Sequence, residues 1–180
     1  MRYTLISALL LFSCNFKSGN GSDKIEYNKA LLRVSKLNKD KLTINEVIFM
    51  DSIYNTLDSK PKYHFDNMAS ILITNRKFNE FNIYYKMHKD YFVDHNSYLI
   101  AISIYMSDKI LGTKLIEKAS RIIECDSNSI KATYCVSRII YNEHNFVVDK
   151  IKDKCNQDLY YLERYKLMKP DELINELLPQ

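Results

Sequence analysis

Glycine and proline are scarce in this chain of 180 residues, three of each, and tryptophan is absent. So few breakers leave room for long helices, because an interior Gly costs about 1 kcal/mol and an interior Pro about 3 kcal/mol relative to Ala. Two of the glycines, Gly19 and Gly21, fall in one polar stretch near the front. No run is apolar and long enough to cross a membrane: the front segment Leu5 to Phe12 falls far short of the roughly 20 residues required. Charge of one sign is lacking too, since 26 Lys and Arg against 22 Asp and Glu leave +4. That balance offers no dense basic stripe for nucleic acid.

Reactive motifs are missing as well. No Gly-rich phosphate loop, no GxSxG and no HExxH occurs. The histidines, His64, His88, His95 and His144, show no i, i+4 pairing and read as surface or half-buried imidazoles. Cys125, Cys135 and Cys155 form no CxxC and have no flanking His pair, which argues against zinc. No metal, cofactor or small-molecule substrate is expected. An enzyme using Cys135 or Cys125 with His144 as base is a minor alternative.

What is present begins with a compartment signal. Met1-Arg2 opens a positive start, followed by the short apolar segment and Ser13-Cys14, in the manner of a secretory signal. Leu11-Phe12-Ser13-Cys14 resembles the lipobox of bacterial lipoproteins. The resemblance implies that residues 1–13 are removed and that Cys14 carries lipid, with ordinary secretion and an incidental Cys14 as the alternative. Residues 14–23, rich in Asn, Lys, Ser and Gly, then read as a flexible tether. Asn15 in place of Asp, and the lack of an acidic run, point to a lipoprotein of the outer membrane facing the periplasm. With Cys14 assigned to lipid, three cysteines remain, so at most one bridge and a free thiol are expected, the pairing being open.

The body of the chain keeps a beat of 34 residues. Val34-Ser35, Met68-Ala69, Ile102-Ser103 and Val136-Ser137 each place a small residue after an apolar one. Three residues before each pair stand Leu31, Phe65, Leu99 and Thr133, and nine after it Ile44, Phe78, Gly112 and Phe146. A fixed period of this length signals stacked helical hairpins, with the small residue permitting close approach of a partner helix. Units start near Asn28, Lys62, Asn96 and Ile130. Each has two amphipathic stretches about a polar break: Asn38–Lys41, Thr74–Lys77, Ser107–Lys109 and Asn142–Asn145. Thr43 with Glu46 predicts a capping box, and Asp58-Ser59 and Asp126-Ser127 predict helix caps.

Ala132-Thr133-Tyr134, Val136-Ser137, Ile139-Ile140-Tyr141 and Phe146, with Met68-Ala69, Ile71-Leu72, Phe78 and Tyr85, resemble the tetratricopeptide repeat. The pattern is degenerate, without its Trp or boundary Pro, and covers roughly residues 28–155. The expected fold is therefore an all-α helical-hairpin solenoid of about four units over residues 24–157. Residues 158–180 form a capping segment, with one helix through Leu159, Leu162, Tyr165 and Leu167 and another starting at Pro170.

The resemblance implies a concave face, lined by the first helix of each unit, that takes peptides or extended segments of proteins. Residue by residue it carries over to Lys36, to Tyr63 and Asp66, and to Lys131, Tyr134, Arg138, Tyr141 and Asn142. Lys131 and Arg138 stand two turns apart with Tyr134 between them, a grouping that could hold a carboxylate through charge-assisted hydrogen bonds. The expected function is a non-enzymatic, membrane-tethered protein that binds an extended or acidic segment of a protein partner in the bacterial envelope. The alternative is an immunity lipoprotein that neutralises a competitor's toxin.

Overall fold

The computed structural model describes residues 21–93, 97–120, 125–156 and 158–178. The signal segment, Cys14 and most of the tether lie outside the described residues, as does His95. The elements are α1 (Gly21–Ser35), α2 (Ile44–Thr56), α3 (His64–Thr74), α4 (Phe78–Met87), α5 (Lys89–Phe92), α6 (Tyr98–Tyr105), α7 (Lys109–Ser120), α8 (Ser127–Tyr141) and α9 (His144–Cys155). A 3-10 helix (Tyr160–Tyr165) and α10 (Pro170–Leu177) follow. Among the described residues there is no strand, and the fold is all-α.

The helices divide where the polar breaks fall. Thr43 caps α2, its side chain accepting from Asn45 N at 3.3 Å, while its hydroxyl also bonds the Glu46 carboxylate. Asp126 caps α8 by accepting from the backbone N–H of Asn128 at 3.0 Å and of Ser129 at 3.1 Å. The α3–α4 turn closes with Arg76 at φ 55° and Lys77 N–H returning to Leu72 O, the 6→1 bond that ends many helices. Asn142 (φ 52°) and Asn156 (φ 45°) end α8 and α9 in the same left-handed conformation.

Three local expectations need correction. Asp58-Ser59 cap nothing, because the next helix begins only at His64. The stretch read as tether is helical from Gly21, where Asp23 places a carboxylate in the first turn of α1. In the tail, Leu162 and Tyr165 on the 3-10 helix and Leu159 just before it turn inward, but Leu167 lies beyond the helix and is 91% exposed.

Consecutive helices pair: α1 on α2, α3 on α4, α6 on α7, α8 on α9. Each pair meets the next, through α2 with α4, α4 with α6, and α6 and α7 with α8. The period is visible in the burial. Val34, Met68, Ile102 and Val136 are each 0% exposed. The small residues after the last three are buried too, whereas Ser35, at the end of α1, is exposed. α6 is apolar on every side, with Ala101, Ile102, Ser103 and Ile104 all buried, so it runs through the core rather than across its surface.

Two apolar clusters result. One spans α1 to α8 and takes in Ile174 and Leu178 from the tail; the other joins Ile130, Tyr134 and Cys135 to α9, the 3-10 helix and Leu173. Adjacent residues of α10 thus enter different clusters, and the tail ties both together. A Cys125–Cys155 disulfide closes the fourth unit from its start to the end of α9, and Cys135 is the buried free thiol among the described residues.

Candidate functional site

The fourth-unit grouping forms on α8, but the chain's own tail lies on it. Tyr134 is fully buried, and its hydroxyl meets His144 Nδ1 at 2.6 Å; His144 Nε2 in turn meets Glu163 at 3.0 Å. Arg138 is 8% exposed and donates from one nitrogen to the carbonyls of Tyr165 and Lys166, both at 2.6 Å, and from the other to Asn142 Oδ1 at 3.3 Å. The guanidinium thereby caps Lys166 O at the end of the 3-10 helix and adds a second donor to Tyr165 O, which also accepts from Met168 N–H at 3.2 Å. Lys131 pairs with Glu176 of α10 at 3.1 Å and lies over the Tyr165 ring. Burial pushes the Lys131 ammonium down, but Glu176 outweighs it and leaves it above its ordinary value. In this arrangement Tyr134 and Arg138 present nothing to a partner, because the tail fills their face; Tyr141 and Asn142 remain exposed.

The other sites implied by the resemblance are more open. Lys36 is exposed just beyond α1. Tyr63 precedes α3, exposed, with Lys62 over its ring at 5.3 Å. Asp66 is half-buried and accepts from the Tyr91 hydroxyl at 2.7 Å. Of the predicted residues, Lys36, Tyr63, Tyr141 and Asn142 thus face solvent, Asp66 is half-buried, Lys131 is paired with Glu176, and Tyr134 and Arg138 face the tail.

A constellation that sequence reading passed over lies between the first two units. Asp51 of α2 is buried and accepts from both histidines, His64 Nε2 at Oδ1 and His88 Nε2 at Oδ2, each 2.7 Å away. The Tyr84 hydroxyl reaches Oδ1 at 3.1 Å, and the Tyr27 hydroxyl reaches His64 Nδ1 at 2.9 Å. The carboxylate accepts from the Tyr84 hydroxyl and from both Nε2 atoms, while the direction of the Tyr27–His64 bond follows the imidazole tautomer. Tyr54 stacks flat on His64, with ring centroids 4.2 Å apart, and Phe65 lies 4.6 Å from His88. Burial pushes the Asp51 carboxyl up, but the hydrogen bonds from His64 and His88 outweigh it and hold it below the usual carboxylate range. Burial, with Asp51 beside them, pushes the Tyr27 and Tyr84 phenols up.

These groups are joined to one another and turned inward, so their chemistry is that of a polar clamp joining α1, α2, α3 and α4. No activated nucleophile is among them, since both phenols are harder to ionise than free tyrosine. The two thiols weighed as nucleophiles are similarly unsuited. Cys125 is in the disulfide, and burial pushes the Cys135 thiol up to about 12, the reverse of what attack requires. Among the described residues no cluster of three or more His, Cys, Asp or Glu is arranged to hold a metal, and no helix is long and apolar enough to cross a membrane.

The clamp was hidden in the sequence because Asp51, His64 and His88 lie on three elements with no shared spacing. The one available signal was that Asp51 occurs on the apolar side of α2, between Met50 and Tyr54. Comparison with known proteins returns no matching family, no matching curated protein and no matching solved structure.

Proposed function

We propose that the chain is a lipid-tethered helical-repeat protein of the bacterial envelope, of tetratricopeptide-like build, that binds a protein partner through first-helix positions of its units. The observation that carries the reading is the agreement between period and burial: Val34, Met68, Ile102 and Val136 occupy one phase of the repeat and are all fully buried. A repeat whose phase coincides with its packing supports a one-dimensional stack, an architecture suited to presenting an extended surface. The Cys125–Cys155 disulfide agrees with an oxidising compartment, where such bonds persist. Contact with the partner is carried by the exposed Tyr63, Tyr141 and Asn142, with the half-buried Asp66 beside Tyr63, rather than by Tyr134 and Arg138.

Crosslinking in native membranes tests this. The parent chain should yield a discrete adduct that Tyr63→Ala with Tyr141→Ala weakens, and Cys14→Ser should move the chain out of the membrane fraction. No adduct from the folded parent would sink the binding reading. A membrane fraction unchanged by Cys14→Ser would sink the anchor.

A further inference from the structure

We infer that the outward face of the first helical pair lies on the surface of an anionic bilayer, the same one that holds the chain's lipid. The inference rests on the reading of Cys14 as the lipidated residue. At 100° per residue, the buried Tyr27 and Val34 set the inward side of α1, and Ile25, Lys29 and Leu32 fall on the side opposite, with Lys36 exposed just beyond the helix end. Ile25 and Leu32 are 54% and 51% exposed. On α2, Val47 and Met50 turn inward while Ile48 and Phe49 turn outward, 43% and 44% exposed. The Arg33 guanidinium lies 5.3 Å over the Phe49 ring and bridges the outer faces of the two helices.

Four large apolar side chains on one terminal pair call for a cover. Terminal units of a helical stack ordinarily present a polar outer face. Among the described residues the two ends of this molecule differ: residues 158–178 cover the fourth unit, whereas the first pair has a described neighbouring pair on one side only. What lies next to it is set by the chain. Six residues, Asn15 to Asn20, lie between Cys14 and Gly21, where α1 begins. The seven Cα–Cα steps from Cys14 to Gly21 can span at most about 25 Å. A lipid at Cys14 therefore keeps α1 beside the headgroups at high effective concentration.

The residues suit that neighbour. Lys29, Arg33 and Lys36 alternate with Ile25, Leu32 and Phe49, so the apolar parts can enter the interface while the long cationic side chains extend to phosphate. Glu26, two turns before Arg33, shares Arg33's edge of the stripe and partly offsets its charge, and Glu46 is already held by Thr43. Lys36, one of the positions proposed for a protein partner, belongs to this lipid-facing stretch instead.

The absence of tryptophan supplies the test. Phe49→Trp gives the full chain a single indole on this face, and Ile83→Trp gives one on α4 at a site of similar exposure. The lipidated protein is reconstituted in vesicles of phosphatidylglycerol and phosphatidylethanolamine, with and without brominated acyl chains. Phe49→Trp emission should shift to the blue and be quenched by bromolipid, Ile83→Trp should show neither change, and adding Lys29→Glu with Arg33→Glu should abolish the quenching without altering thermal unfolding. A blue shift without bromolipid quenching would place a protein, a second copy included, on the face and overturn the inference. So would equal quenching at both sites. The mass of the mature chain separates the two readings. A lipidated chain unquenched at Phe49→Trp overturns this inference alone, and a chain without lipid overturns the anchor and the inference together.

Discussion

Gly112 of α7 approaches the backbone of Tyr105 on α6 so closely that a Cβ at position 112 would lie 2.2 Å from the Tyr105 Cα and 2.5 Å from its nitrogen. Both atoms belong to a helix and cannot step aside as the end of a side chain could. Gly112→Ala should push α6 and α7 apart at a cost of about 2–3 kcal/mol, the upper part of the range for overpacked interiors. Urea unfolding measures it, and a midpoint equal to the parent's would mean that the helices do not cross at this residue.

Asp51 gives the fold an acid-dependent component. Its folded pKa is depressed, so the stability it contributes is complete above the unfolded value, about 4, and is lost as pH falls through the lower folded value. Asp51→Asn should be less stable at neutral pH by roughly 1–3 kcal/mol, because Nε2–H of His64 or of His88 loses its charged acceptor. Its melting temperature should then fall less steeply than the parent's between about pH 4 and pH 2. Parallel curves would show that the carboxylate does not titrate differently in the folded state.

The Cys125–Cys155 bridge closes a loop of sequence separation 30. Loop-closure entropy puts its contribution at about 3–4 kcal/mol. Cys125→Ser with Cys155→Ser should lower the unfolding midpoint accordingly, with the loss concentrated in protection of the fourth unit against hydrogen exchange. Cys135, buried and with its thiol raised to about 12, should resist iodoacetamide until the chain unfolds. Rapid alkylation of the native protein would contradict that burial.

Arg138 and Lys131, alike in the sequence pattern, should respond differently. Arg138→Ala leaves the Lys166 carbonyl without its side-chain donor, leaves Tyr165 O with Met168 N–H alone, and frees the tail, for roughly 2–3 kcal/mol and faster proteolysis near Lys169. Lys131→Ala breaks a half-exposed pair with Glu176 and should cost no more than about 1 kcal/mol. Equal effects would mean that Arg138 does not hold the 3-10 helix.

The helical class, the turn positions and the buried phase of each unit were legible because a helix records its inward side in its own spacing. Val34, Met68, Ile102 and Val136 show this, and so does α9, which forms although Asp149 and Asp153 interrupt its pattern: both are exposed, and Val147, Val148 and Ile151 are buried. Spacing was equally able to group Lys131, Tyr134 and Arg138, and it was silent on what lies over them. The same pattern serves a ligand-binding groove and a face covered by the chain's own tail.

By itself, then, the sequence determined that this protein is all-α, a run of paired helices whose buried residues keep a 34-residue beat. Only the tertiary structure decided that Asp51 meets His64 and His88, 13 and 37 residues away, that Cys125 rather than Cys135 bonds Cys155, and that the tail occupies the α8 face. The division has a physical cause. Periodicity is local and states which side of a helix leaves water, whereas the identity of the group opposite depends on how separate helices cross, and no interval along the chain encodes that crossing.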